Sequence, residues 1–324
     1  VAKTQERASN DNTPLVPRTS FDAPILEFDF PGLKVGVAEY EDGPTGCTVF
    51  YFPRGVATAV DKRGGMVGAI EEEYGWYHAI CFAGGSLYGL EAAIGVRKEL
   101  LAKQAYSIDK PIPLVSGAII WDWKGRNNTI YPDAALGRAA IKAAREGIFP
   151  LGPRGAGRSA GCGGGFNGVE AERTGQGGAF SQVGPTKIAV FTVVNALGAI
   201  VNRQSQVVRG YLDTHTGTRH HSATLVERKL AKDEPTQVPS RNTTLTLVLT
   251  NQKLDNRSLT QLARQVHSSM ARAIQPFHTI RDGDILYAST TNEVENPGLN
   301  ETALGILASE LAWDAILRSF DEST

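Results

Sequence analysis

Apolar positions in this chain alternate in some stretches and recur every three or four residues in others. Thr244–Thr250 reads TLTLVLT, with Leu245, Leu247 and Leu249 set against Thr244, Thr246, Val248 and Thr250. That period of two predicts a half-buried strand. Cys47–Phe52 (before Pro53), PLVSGAIIW and Ile188–Val194 are further strand-like runs, rich in β-branched and aromatic residues. Leu87, Leu90, Ile94 and Val96 suit a helix opening from the Gly84-Gly85 turn, and Asp133–Glu146 an alanine-rich packed helix. Leu259, Leu262, Val266, Met270 and Ile274 share one helical face, and Asn300 caps a last helix carrying Leu304, Leu307, Leu311 and Ala315 inward. Helices come in blocks and several strands are hairpin-like. This α/β pattern predicts two antiparallel sheets covered by helices rather than a doubly wound sheet. Residues 1–22 are polar and proline-punctuated, an extended or disordered arm, which leaves 23–324 as a single domain. Residues 229–242 have two prolines, mixed charge and no apolar period, and read as a surface linker.

Composition narrows the function classes. Thirty-three basic residues balance 34 acidic ones without basic blocks, which argues against nucleic acid as a partner. No run approaches the roughly 20 apolar residues of a membrane span, so no membrane partner is expected. Cys47, Cys81 and Cys162 are scattered and odd in number, which suits reduced thiols in a cytoplasm. The opening VAKTQERASNDNTP lacks the apolar core of a signal peptide.

The junction of linker and strand at Asn242-Thr243 draws attention to chemistry. By strand parity Thr243 shares a face with Leu245, Leu247 and Leu249, where a hydroxyl is costly unless bonded or used. A cut before Thr243 would free an α-amine with an ordinary pKa near ~7.7–8. Such an amine can act as base for the hydroxyl of its own residue. The plainer alternative is a β-branched residue starting a strand, and Gly46-Cys47 joins a turn to a strand in the same way. Asp282-Gly283-Asp284, taken alone, is a hairpin turn. The glycine-dense stretch 152–178 lacks the ending of a P-loop and fits close backbone approach or a lid. His215, His220 and His221 lack metal-ligand spacing, so a solvated loop is expected and no metal or other cofactor. Glu71–Glu73 fits an exposed acidic turn better than a clamp for a substrate amine. Trp76, Tyr77, Trp121 and Trp123 fit core packing better than a groove for an aliphatic chain.

Longer motifs decide between these alternatives. NTTLTLVLTN, RQVHSSMARAIQPFHT, DGD, FDFPGLKVGVAEYEDGPTG, HAICFAGGSLYGLEA, YPDAALGRAA, TGQGGAF and TALGILASELAWDA span the chain from about Phe28 to the last helix. Together they resemble the 6-aminohexanoate-oligomer (nylon-oligomer) endohydrolases, which are grouped with the DmpA-type aminopeptidase–amidases among self-processing, N-terminal-nucleophile-like hydrolases. The resemblance implies a four-layer α/β/β/α sandwich and autocleavage between Asn242 and Thr243 into chains 1–242 and 243–324. It implies a homotetramer of cleaved protomers acting on linear amide oligomers. Thr243 would be the nucleophile, Asn195 the oxyanion donor, and Asp282 and Asp284 the pair that orients the Thr243 amine. Two positions depart from the pattern. Members of the family carry a lysine where this chain has Gly163–Asn167, leaving Arg158 or Arg173 as replacement cations. They also carry a tyrosine where Trp121 stands, a candidate substrate contact. Competing functions are a DmpA-type aminopeptidase or D-amidase, an acyl transferase like the ornithine acetyltransferases, and an uncleaved binding protein. The transferase pattern K-G-x-G-M is absent.

Overall fold

The computed structural model describes residues 7–70, 74–123, 126–233, 235 and 242–320. The long elements, in chain order, are β1 (Lys34–Tyr40), β2 (Thr45–Lys62), β3 (Trp76–Ala83), α1 (Glu91–Lys103), β4 (Val115–Ile119), α2 (Ala134–Lys142), β5 (Gln176–Val183), β6 (Thr186–Asn195), α3 (Ser222–Leu230), β7 (Thr243–Gln252), α4 (Asn256–Ser269), β8 (Ile285–Val294) and α5 (Glu301–Leu317).

Strand β2 organises the layers. Its first half pairs with β1 and β3, and its second half with β8. Between Tyr51 and Val56 the register slips, at Pro53, which has no N–H to donate, and Gly55, whose φ is +73°. Pro53 therefore bends the strand without ending it. The two expected sheets are hydrogen-bonded as one, folded over at this bend, and they are not purely antiparallel: β7 pairs with β8, and β3 with β4, in parallel.

Three apolar cores separate four layers. Between the sheet halves lie Phe50, Phe82, Phe149, Phe191, Tyr287, Leu245, Leu247 and Leu249, with the Phe149 and Phe191 rings 4.8 Å apart. Helices α1 and α2 cover the first half through Ala92, Val96, Leu100, Leu136 and Ala140. Helices α4 and α5 cover the second through Leu259, Leu262, Val266, Leu304 and Ala312. Leu87, expected on the buried face of the first helix, is exposed in a short 3-10 turn before α1. Asp133, Asp255 and Asn300 cap α2, α4 and α5 by accepting the N–H of Leu136, Ser258 and Ala303.

Strand β7 departs from the half-buried expectation, since all ten of its residues are buried. Its alternation separates two cores: the leucines enter the inter-sheet core, and Val248 packs under α4 and α5. The arm is extended and tied down where described. Ser9 bridges to Thr129, and Arg18 exchanges backbone hydrogen bonds with Glu39. Among the described residues no helix is long and apolar enough to cross a membrane.

Candidate active site

Antiparallel pairing of β6 with β7 ends on Asn195 opposite Thr243, which brings two of the expected residues together. Thr243 is fully buried, and Asn195 nearly so. A loop leads from α4 to β8 and delivers Asp282 and Asp284 to the same end of the sheet, where Asn242 forms a parallel bridge with Asp282. The Asn242 carbonyl accepts the Gly283 N–H at 2.8 Å and the Thr243 hydroxyl at 2.6 Å. Gly283 has no freedom to be anything larger. A Cβ there would stand 2.5 Å from Thr243 Oγ1 and 2.7 Å from the Met66 carbonyl oxygen.

Both carboxylates are buried and hydrogen-bonded. Asp284 accepts the Thr244 N–H at 2.8 Å, the His278 N–H at 3.1 Å and His278 Nδ1 at 3.0 Å. Asp282 accepts the Thr279 N–H at 2.9 Å and its hydroxyl at 2.7 Å, with the Leu197 N–H at 3.4 Å. Burial, reinforced by the neighbouring charge of Asp284, pushes the Asp282 carboxyl up to about 6. The turn is held from outside by the Arg63–Met66 loop. Arg63 and Gly64 N–H groups donate to the Asp284 carbonyl, and the Met66 N–H to that of Asp282. A Cβ on Gly64 would lie 2.2 Å from the Asp284 nitrogen. The motif pointed to the Asp-Gly-Asp residues alone. This glycine clamp pairs residues over 200 positions apart in sequence, and no local signal announces it.

Asn195 is fixed at both ends of its amide. Nδ2 donates to the Trp121 carbonyl at 3.1 Å, and Oδ1 accepts the Gly161 N–H at 3.2 Å. An amide nitrogen carries two hydrogens, so this arrangement keeps one donor beyond the Trp121 bond. Trp121 thus reaches the site through its backbone, while its indole donates to the Met66 carbonyl at 3.0 Å. Next to it, Asp122 accepts the Gly85 and Ser86 N–H groups and pairs with Arg126. The partly exposed Tyr88 ring lies tilted between those of Trp123 and Tyr131, with centroids 5.0 and 5.6 Å away. The other aromatic candidates go elsewhere. Tyr77 lies in the inter-sheet core and Trp76 beside Gly55. Glu71–Glu73 fall outside the described residues.

The glycine-dense stretch packs against the Asn195 turn, with the Gly163 N–H donating to the Ala196 and Gly198 carbonyls. The two arginines considered as replacement cations are engaged elsewhere. Arg158 pairs with Glu39 and Glu41, and Arg173 donates to the Arg158 carbonyl. The imidazole on Asp284 belongs to His278, a residue within the PFHT motif to which the sequence reading gave no role.

Residues 28–323 match the model of peptidase family S58. A 6-aminohexanoate-oligomer endohydrolase from Paenarthrobacter ureafaciens is 45% identical over 321 residues, covering 96% of this chain and 90% of that protein. Among solved structures, a beta-aminopeptidase from Burkholderia sp. matches at a TM-score of 0.63 and 18% identity, over 92% of this chain and 88% of its own. An L-aminopeptidase D-Ala-esterase/amidase from Ochrobactrum anthropi, described as a new variant among the Ntn hydrolase fold, matches at 0.63 and 14% identity, over 93% and 88%. The four-layer architecture built above is that fold.

Proposed function

Because the chain belongs to peptidase family S58 and is an amide-bond hydrolase, we propose that it cuts itself between Asn242 and Thr243 and then hydrolyses linear aliphatic amides, 6-aminohexanoate oligomers among them, through an acyl-enzyme on Thr243. One observation carries the reading. The carbonyl of the Asn242-Thr243 peptide sits between an N–H donor and the hydroxyl that would attack it. In the precursor, Thr243 Oγ1 adds to the Asn242 carbonyl carbon and the peptide nitrogen leaves as the Thr243 amine, giving an ester. Water then releases chain 1–242.

In the cut protein the same hydroxyl loses its proton to the new amine and attacks the substrate amide. Charge developing on the substrate oxygen is met by Asn195 Nδ2. The leaving amine takes the proton, and water hydrolyses the Thr243 ester. Asp282 and Asp284 hold the backbone around the nucleophile and would stabilise the ammonium that the Thr243 amine becomes on taking the hydroxyl proton. The ring cluster of Tyr88, Trp123 and Tyr131 offers an apolar surface for an aliphatic chain. A cytoplasmic location is supported by three buried, unpaired thiols, and a tetramer of cut protomers by the family resemblance.

Intact mass of fresh protein, followed by assay on internal amide oligomers and on aminoacyl p-nitroanilides, tests the reading. Chains of 242 and 82 residues are expected, with turnover of the oligomers exceeding that of the anilides. Thr243→Ala is expected to stay as one inactive chain. A wild-type chain that persists uncut refutes self-processing, and preference for the anilides refutes internal cleavage in favour of aminopeptidase activity.

A further inference from the structure

Asp284 is completely buried, and so is the neighbouring Asp282 apart from a trace of exposure. Two carboxylates so close repel each other unless a cation or protons compensate. His278 stands on Asp284 with its main-chain N–H and Nδ1 both directed at Oδ2, and on its other side Nε2 faces the His267 carbonyl at 3.3 Å. Both of these partners are acceptors. A neutral imidazole has one donor nitrogen and one acceptor nitrogen, so the ring satisfies both contacts only when both nitrogens carry hydrogen. Its backbone lies in the left-handed region, at φ +59°, which few non-glycine residues occupy and which His and Asn tolerate best.

The groups around the ring are consistent with one charge at this point. His267, packed edge-on at 4.3 Å from α4, points Nδ1 at Asp61 of β2 at 2.9 Å, and Asp61 also holds Arg63. Burial, aided by the neighbouring His278, lowers the pKa of His267, which keeps that second ring neutral. Asp284 lies on one side of His278 with Asp282 beyond it, and the Phe277 ring packs against it at 3.8 Å. A series of contacts therefore runs from Arg63 through Asp61, His267, His278 and Asp284 to the Thr244 N–H, one residue from the hydroxyl of Thr243.

We infer that His278 is a positioning residue for the nucleophile, an imidazolium clamped between Asp284 and the His267 carbonyl that balances the buried carboxylate pair and fixes Asp284 on the Thr244 N–H. It touches neither Thr243 nor substrate in this role. It acts by holding the start of β7 in register with Asn195, and the inference rests on the reading of Thr243 as the nucleophile. Loss of either ring proton breaks one side of the clamp, lets Asp284 turn, and frees the strand end that carries the hydroxyl.

The test uses the full-length chain in two parts. In uncut Thr243→Ala protein with 15N-labelled histidine, both ring nitrogens of His278 are expected to be protonated at the pH where the wild type is active. A single protonated nitrogen there overturns the clamp. His278→Asn then removes the charge while keeping a donor and a residue type that tolerates positive φ. In the Thr243→Ala background this variant is expected to fold, with hydrogen exchange of the Thr244 amide about 10-fold faster. In the cut enzyme, kcat is expected to fall ~10–100-fold with KM nearly unchanged, the size of effect that a small misplacement of reacting groups produces. Unchanged Thr244 exchange, or wild-type kcat in the variant, overturns the inference. If His278→Asn fails to fold, the ring protonation measured in Thr243→Ala still decides. If the wild type proves inactive, the functional reading fails, while ring protonation and Thr244 exchange continue to judge the clamp.

Discussion

The β6–β7 strand pair buries polar side chains at both ends, by opposite means. At the far end the buried side chains of Thr186, Asn251 and Gln252 have neutral partners. The Thr186 hydroxyl donates to Gln252 at 3.0 Å, Gln252 Nε2 to the Leu299 carbonyl at 2.8 Å, and the Lys187 N–H to Asn251 at 2.7 Å. At the near end stand two carboxylates and two imidazoles, and the buried Thr244 hydroxyl has no hydrogen-bond partner among the described residues. Neutral, satisfied groups specify a fold cheaply, whereas buried charges persist only where neighbours hold them. One end of the pair fixes register, and the other keeps charge poised beside a hydroxyl.

Substitutions can break or sharpen that contrast. The largest effect is expected from Gly283→Ala, which drives a methyl group into the space of the Thr243 hydroxyl and displaces the donor to the Asn242 carbonyl. Self-cleavage should slow at least ~10²-fold, the cost of losing one such donor, in a time course of intact mass. An unaltered half-time would remove Gly283 from the processing chemistry. Asn195→Ala should lower kcat ~10²–10³-fold. It also removes the side-chain bonds to the Trp121 carbonyl and from the Gly161 N–H, at about 1–3 kcal/mol of stability. Chemical denaturation beside kinetics separates the two effects, and wild-type turnover would exclude the residue.

Asp282→Asn in uncut Thr243→Ala protein probes the charge itself. With the carboxyl raised to about 6 in the folded chain and near ~3.9 when unfolded, the native state holds this proton more tightly. Native stability from this group is therefore present below about pH 4 and lost as pH rises through 6. Asparagine does not ionise, so the variant should be the more stable at pH 7.5 by on the order of 1–3 kcal/mol, with the gap closing by pH 4. Urea unfolding at both pH values checks this, and a gap independent of pH contradicts it. Gln252→Ala gives the smallest functional effect. It should cost about 1–3 kcal/mol for the bonds lost by the Thr186 hydroxyl and the Leu299 carbonyl while kcat and its pH profile stay unchanged. A shifted pH profile would mean that the two ends are coupled.

The contrast also explains what could be read in advance. Strand β7, helices α4 and α5 and the Asn300 helix start follow from side-chain periods and a cap, which are local properties. Thr243, Asn195 and the Asp pair were reached through long motifs, and the strand pairing brings them together. Full burial of β7 was not legible, because its threonines resemble a solvent face and in fact lie under helices that begin after the strand ends. The role of Pro53 was misread for a similar reason: a proline ends a strand by local rules, and only the partners on both sides of β2 turn that break into a bend. His267 and His278 are eleven residues apart in sequence, and only the return of the chain from α4 into β8 brings their rings together.

The central position of β7 has a thermodynamic consequence. This strand lies between β6 and β8, so in a chain cut at Asn242 the two products share one sheet and two cores. The uncut chain unfolds as a single molecule, whatever its concentration. The cut protein must release two, so its melting temperature should rise with concentration by mass action. Refolding it becomes an encounter between separate chains, each missing the strand that its neighbour requires. Processing would in this way convert a fold that can be remade from its own sequence into an assembly that depends on having been made once in one piece.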